Sequence, residues 1–165
     1  MAEIREELPG DEAGIREVEH AAFGREAEAM LVDEVRDLGA ALLSLVAVGA
    51  DERIVGHVLF TPATIGASTP AALLGPLAVH PDHQGKGIGG ALIREGLRRI
   101  ALRGYGSVIL VGDPRYYRRF GFQPGSTYGV RWEKGHEEAF MAIELRPNAL
   151  AGGGVARLLA AFSRV

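Results

Sequence analysis

The chain has 165 residues, of which 47% are hydrophobic and 24% charged, with a formal net charge of −3. That is the size and balance of one globular domain with enough apolar material for a continuous core. The slight acidity leaves no electrostatic footprint for nucleic acid, and the absence of Cys excludes disulfides, thiolate metal ligands and a Cys nucleophile.

The segment from Met1 to Gly14 has no apolar signal core. The longest apolar runs, such as Ala40–Val48, are too short to span a bilayer. A soluble, cytoplasmic protein with no membrane partner is expected.

Ile4–Leu8 reads as a short first strand, ended by Pro9-Gly10. Asp11 is placed to N-cap a helical segment whose Ile15, Val18 and Ala22 share a face. Gly24 breaks that pattern. Ala27, Leu31, Val35 and Leu38 make a second amphipathic stripe, with Gly39 where a C-terminal cap belongs. Leu42–Val48 and Ile54–Thr61 are β-rich runs around a hairpin signal, Gly49 to Arg53. Gly66–Ala71 is the next turn. Ala72–Val79 is almost wholly apolar, as expected of a strand covered on both faces. Gly75-Pro76 inside it predicts a bulge or a local parting of strands, because Pro cannot donate to a ladder.

Gly87–Arg103 reads as a helix, with Ile93, Leu97, Ile100 and Ala101 on one face and Arg94, Glu95, Arg98 and Arg99 on the others. Ser107–Gly112 is another buried strand. Asp113-Pro114 starts a short helix, Arg115–Phe120, stopped by Gly121. Phe122–Glu133 is loop or strand, and Ala139–Leu145 a final strand. Gly152-Gly153-Gly154 divides the chain into a domain over 1–147 and a C-terminal segment over 148–165. Val155–Phe162 in that segment has helical spacing, and is expected to close over a substrate cleft or to pack against a partner. The whole is an α/β pattern in which a strand–helix–strand crossover sits in a mostly antiparallel sheet.

The stretch Gln84-Gly85-Lys86-Gly87-Ile88-Gly89-Gly90 follows a buried strand and opens a helix. There the free N–H groups of the first turn carry the positive end of the helix dipole, and glycines let an anion approach the backbone. A phosphate cradle and a tight turn packed with Gly both satisfy this spacing. A Walker A loop does not fit, since no hydroxyl residue follows Lys86. A dinucleotide fingerprint fits literally from Gly85 to Gly90, but Tyr105 and its neighbours supply no acidic residue about 20 positions on.

The pattern Gln84-x-x-Gly87-x-Gly89 resembles the acetyl-CoA pyrophosphate loop of the GNAT N-acetyltransferase superfamily. Arg115–Phe122 resembles that family's later Tyr-x-x-x-Gly-Phe element, and the likeness extends over roughly Ile4 to Leu145, closest to a bacterial group carrying GDPxYYxRFGF. The resemblance implies a mixed, mostly antiparallel central sheet of about six to seven strands flanked by about four helices. It implies direct transfer of an acetyl group from acetyl-CoA to the amine of a small molecule or peptide, without a metal. A homodimer is left open.

The site residues follow from the same resemblance. Leu77, Ala78 and Val79 would pair with the pantetheine arm, in a gap opened by Gly75-Pro76. Gln84, Gly85, Lys86, Gly87, Ile88, Gly89 and Gly90 would hold the pyrophosphate. Tyr117, four residues before Gly121, would be the general acid, with Tyr116 as its rival. A phenol, with a reference pKa near 10, is protonated at neutral pH. Leu73–Val79 carries no acidic residue, so the family's strand Glu has no counterpart here. His57, Glu28 or a water chain is left for the base. Arg115, Arg118 and Arg119 form a basic cluster that could meet nucleotide phosphates. His80 and His83 could be read as a metal pair, but surface histidines are the simpler reading. A non-catalytic acetyl-CoA-binding module on the same fold is the rival to an enzyme.

Overall fold

The computed structural model describes residues 2–164. In chain order the elements are β1 (Glu3–Glu6), α1 (Glu12–Phe23), α2 (Ala27–Asp37), β2 (Leu43–Val48), β3 (Ile54–Ile65), β4 (Thr69–Val79), α3 (Ile88–Leu102), β5 (Ser107–Val111), α4 (Pro114–Tyr117), β6 (Gln123–Pro124), β7 (Val130–Trp132), β8 (Phe140–Glu144) and β9 (Gly154–Leu158). Short 3-10 turns cover Pro81–His83, Arg118–Phe120, Gly125–Tyr128 and Ala160–Arg164.

The strands form one sheet in the order β1-β2-β3-β4-β5-β8-β6, and β9 and β7 lie off this path to make nine in all among the described residues. Pairing is antiparallel except at β4–β5 and β7–β9. The sheet is therefore the mixed, mostly antiparallel one expected, with two short strands beyond the expected number.

Alternation along β2 and β3 sends apolar side chains to both faces, so helices cover both. On one face Leu45, Val58 and Phe60 pack with Leu92, Ile93 and Ile100 of α3. On the other, Val46 and Leu59 pack with Ile15 of α1 and Leu31, Val32 and Val35 of α2. Ile15, Val18, Leu31, Val35, Ile93 and Ile100 are buried as their stripes require, whereas Leu38, just past the end of α2, and Ala101 are exposed.

Asp11 does not cap α1 with its side chain. Its own backbone is already helical (φ −81°, ψ −11°), whereas a capping residue sits outside that region. Its carboxylate instead accepts from Leu8 N (2.7 Å) and from both arms of Arg5 (2.7 and 3.1 Å).

The crossover β4–α3–β5 positions the site. β4 and β5 pair only at Ala72–Val108 and Leu73–Ile109. Beyond Leu73 the two strands part, and opposite Gly75-Pro76 the β3–β4 register shifts between Val58 and Phe60. The sequence signal for a parting is thus matched by a wedge-shaped opening between β4 and β5.

Val155–Phe162 is not helical. Gly154–Leu158 is a strand, followed by the 3-10 turn, so Ala139–Leu145 does not hold the last strand. The cause is tertiary. β2 stops opposite Phe60, which leaves the edge of β3 from Ala63 to Ile65 without a partner on that side. β9 takes this edge, pairing Ala63 with Leu158 and Ile65 with Ala156, and also runs parallel to β7. Filling an open edge outweighs a weak local helical pattern.

Candidate active site

The loop after β4 ends in two left-handed residues, Gly85 (φ 77°) and Gly87 (φ 82°), a conformation that a side chain strains. α3 begins at Ile88, and its first internal bond runs from Ala91 N to Gly87 O (3.0 Å). The amides of Ile88, Gly89 and Gly90 therefore belong to the open first turn. No side chain caps this end and no acidic residue stands in its first turn. The positive end of a 15-residue helix is left unopposed.

A cavity of about 550 Å³ lies over these amides, lined among others by Gln84, Gly85, Gly87, Ile88, Gly89 and Gly90. Leu77 and Val79 of β4 form another wall. Two guanidinium groups reach it as well. Arg94 lies over the Phe120 ring and Arg119 over the Tyr116 ring, each 5.0 Å from the centroid. The Gln84 amide donates to Val79 O (3.0 Å), so this side chain ties the loop to the end of β4.

A second cavity, of about 460 Å³, fills the wedge between β4 and β5. Leu74 to Leu77 line one side, and Val111 to Asp113 the other. Phe23 and Leu77 border both cavities, so the two adjoin. Tyr117 lines the second cavity and Tyr116 the first. The two neighbouring tyrosines are thus separated by location.

The Tyr117 ring stands edge-on to Tyr116 (centroids 5.0 Å apart) and to Phe122 (6.0 Å). Burial, with a smaller contribution from Tyr116, pushes its phenol well above the usual value of 10. A group so placed stays protonated across the neutral range. Burial also raises Tyr116, against the opposing pull of Arg119 and Arg94.

Glu28 lines the same cavity as Tyr117 with its side chain only 6% exposed. Arg25 forks onto it, Nε donating to Oε1 at 2.9 Å and Nη2 to Oε2. His57 borders neither cavity. It is fully buried, with Nδ1 2.6 Å from Glu19 Oε2 and Nε2 2.9 Å from Ser44 Oγ. Ser44 in turn donates to Glu7, which also receives Arg36. Of the two side chains weighed as a base, only Glu28 lines the cavity that Tyr117 lines.

Other expected residues fall outside the cavities. Ala78 is buried opposite His57 in the β3–β4 register, so only its main chain is placed for pairing. Lys86 is exposed and borders neither cavity, and the same holds for Arg115 and Arg118. The His80 and His83 rings meet edge to face at 6.1 Å. Among the described residues no group of three or more His, Asp or Glu side chains is arranged to hold a metal.

Several lining residues were not singled out individually from sequence: Phe23, Arg25, Arg94 and Trp132. Arg94 was within reach, because it follows Gly90 by four residues and so shares its helical face. Leu158 and Phe162 belong to the segment expected to close over a cleft, and they reach the cavity from a strand and a turn rather than from a helix.

An open helix N-terminus, adjoining a strand gap lined by a protonated phenol and a carboxylate, defines the class of site. It suits a long phosphorylated carrier whose far end undergoes group transfer. Residues 3–125 match the family model described as an acetyltransferase (GNAT) domain. The chain belongs to the GNAT acetyltransferase family. It is 36% identical over 152 residues to the uncharacterised N-acetyltransferase YhbS of Escherichia coli (strain K12), covering 90% of each chain. A crystal structure of YhbS from Escherichia coli in complex with CoA superposes with a TM-score of 0.93 at 34% identity, over 99% of this chain and 92% of that one. A GNAT family acetyltransferase from Brucella melitensis in complex with acetyl-CoA gives 0.83 at 38% identity, over 98% of both chains.

Proposed function

We propose that the protein is an N-acetyltransferase that moves an acetyl group from acetyl-CoA directly to an amine. The observation that carries this reading is the parting of β4 from β5 after Leu73, with the open α3 terminus near one end and Tyr117 at the other. When bound, acetyl-CoA supplies an activated thioester.

The residues present fit that donor. The main chain of Leu77–Val79 has no β5 partner, and apart from Val79 O, which Gln84 occupies, the edge facing β5 can pair with an extended amide-bearing arm, as in strand addition. The amides of Ile88, Gly89 and Gly90, with Arg94 and Arg119, meet the charge of a pyrophosphate. A backbone N–H of the parted stretch polarises the thioester carbonyl.

Glu28 takes one proton from the incoming ammonium, directly or through water, because only the neutral amine attacks. Nitrogen then bonds to the carbonyl carbon, and the carbon–sulfur bond breaks. The Tyr117 hydroxyl gives its proton to the departing sulfur. The second proton released by nitrogen restores the phenol through solvent.

Among the described residues no helix is long and apolar enough to cross a membrane. We place the protein in the cytoplasm, in agreement with its lack of Cys. A homodimer is compatible with this chemistry, and no step requires one. The test is a thiol-release assay with acetyl-CoA over small amines, peptide N-termini and lysine peptides. Tight CoA binding without thiol release from any acceptor would favour a non-catalytic binding module.

A further inference from the structure

Resting on the transferase reading above, we propose that the acceptor is a primary amine on a compact apolar body, aryl or branched alkyl, and that the C-terminal segment helps to select it.

The acceptor must enter the cavity that holds Tyr117, because the thioester end lies there. Beyond β4 and β5 five large apolar side chains converge on it: Phe23 from the end of α1, Leu31 from α2, Trp132 from β7, Leu158 from β9 and Phe162 from the closing turn. The Trp132 ring is stacked on His136 (5.3 Å, 25° between planes) and so presents a fixed aromatic face. β9 is held in place by its ladder to β3 and by Arg157, whose guanidinium donates to Gly66 O (3.2 Å). Leu158 and Phe162 are thus parts of a wall anchored to the sheet.

Charge narrows the choice further. The lining holds two carboxylates: Arg25 forks onto Glu28, and Asp113 accepts from Arg115 N (2.9 Å) with the Arg115 guanidinium 3.5 Å away. Neither guanidinium is left to meet an added carboxylate on the acceptor. A polyamine would need carboxylates spaced along its length. The acidic residues of the late loop, Glu133, Glu137 and Glu138, do not border the cavity. The volume of about 460 Å³ is shared with the thioester end of the donor. What remains suits a small body seated against aromatic side chains, whose burial would supply the binding energy.

The experiment measures thiol release from acetyl-CoA with phenethylamine, isopentylamine, spermidine and a lysine-containing peptide, for the wild-type chain and for Phe162→Ala. Calorimetry follows phenethylamine binding to the CoA-loaded protein. We expect the two apolar amines to exceed spermidine and the peptide in kcat/KM by on the order of 100-fold, within the range that apolar pockets discriminate. Phe162→Ala should raise KM for phenethylamine by about tenfold and leave acetyl-CoA affinity unchanged. If that variant does not fold, the wild-type amine order alone decides. Thiol release that favours spermidine or the peptide overturns this inference and leaves the transferase reading standing. No thiol release from any amine, with CoA still bound, overturns both.

Discussion

A Cβ placed on Gly112 would lie 2.5 Å from Cε2 of Tyr117, closer than real side chains approach. The phenol thus occupies volume that only a glycine at the end of β5 leaves free. Gly112→Ala should push the ring out of the β4–β5 wedge. We expect a loss of about 1–3 kcal/mol of stability, as for other overpacked sites, and a fall in kcat larger than any change in acetyl-CoA affinity. Steady-state kinetics beside a thermal melt would test this, and wild-type turnover would refute it.

Tyr117→Phe keeps the ring and removes only the hydroxyl. If that hydroxyl protonates the departing thiolate, kcat should drop by on the order of 100-fold, with little change in donor affinity. Tyr116→Phe, on the other cavity, should be mild. A nearly silent Tyr117→Phe, with chemistry rate-limiting, would remove the acid assignment.

The pH profile carries a further expectation. Burial raises the Tyr117 phenol above 10, so the acid form persists throughout the neutral and mildly alkaline range. Activity should therefore show no alkaline fall attributable to this group below pH 10. The same shift makes Tyr117 a source of stability that is complete below pH 10 and is lost as pH rises through its folded value. An alkaline limb near pH 8 that vanishes in Tyr117→Phe would contradict this.

Gly87 precedes α3 at φ 82°, and a Cβ there would meet nothing within 4 Å. Gly87→Glu should fold at a cost of about 1–2 kcal/mol for a left-handed residue. It should abolish acetyl-CoA binding, because a carboxylate would enter the cradle. Gly89→Glu is the poorer test, since its Cβ would lie 2.7 Å from the Tyr116 hydroxyl. Wild-type affinity by calorimetry in Gly87→Glu would defeat the cradle assignment.

His57 and Glu19 form a wholly buried pair linked through Ser44 to Glu7. His57→Leu would strand the Glu19 carboxylate, and should cost about 3–5 kcal/mol, as when a buried pair loses one partner. Activity per folded molecule should remain near wild type if Glu28, and not His57, serves as the base. Burial pushes Glu7 up, but Arg36 and Ser44 outweigh it and hold its carboxylate below the usual 4.5. Its contribution to stability is therefore present above pH 4.5 and lost as pH falls. Urea melts between pH 3 and 7 should show this loss reduced in Glu7→Gln.

The geometry of the loop and of the strand gap was legible because its signal is local. Gly87 and Gly89 sit at the strand-to-helix junction itself, and Gly75-Pro76 marks the parting with residues that cannot sustain a ladder. Tyr117 could be placed by its spacing to Gly121, but its separation from Tyr116 depends on the course of α4 over the wedge. The acceptor walls were legible only as segments. Phe23, Trp132 and the neighbouring pair Leu158 and Phe162 converge from three distant parts of the chain, and no periodicity in one segment encodes their meeting. Glu28 and His57 were equal candidates for the base in the sequence, and only the structure puts Glu28 at the cavity wall and His57 away from it.

β9 has a consequence for how the protein behaves in solution. It shields the backbone of β3 from Ala63 to Ile65, and an uncovered strand edge is a template for pairing with other chains. A proteolytic nick in the exposed turn at Ala151-Gly152 would free this strand. Molecules so cleaved would become sticky as they lost discrimination among acceptors. Preparations that blur in specificity with storage should then also shed material as precipitate.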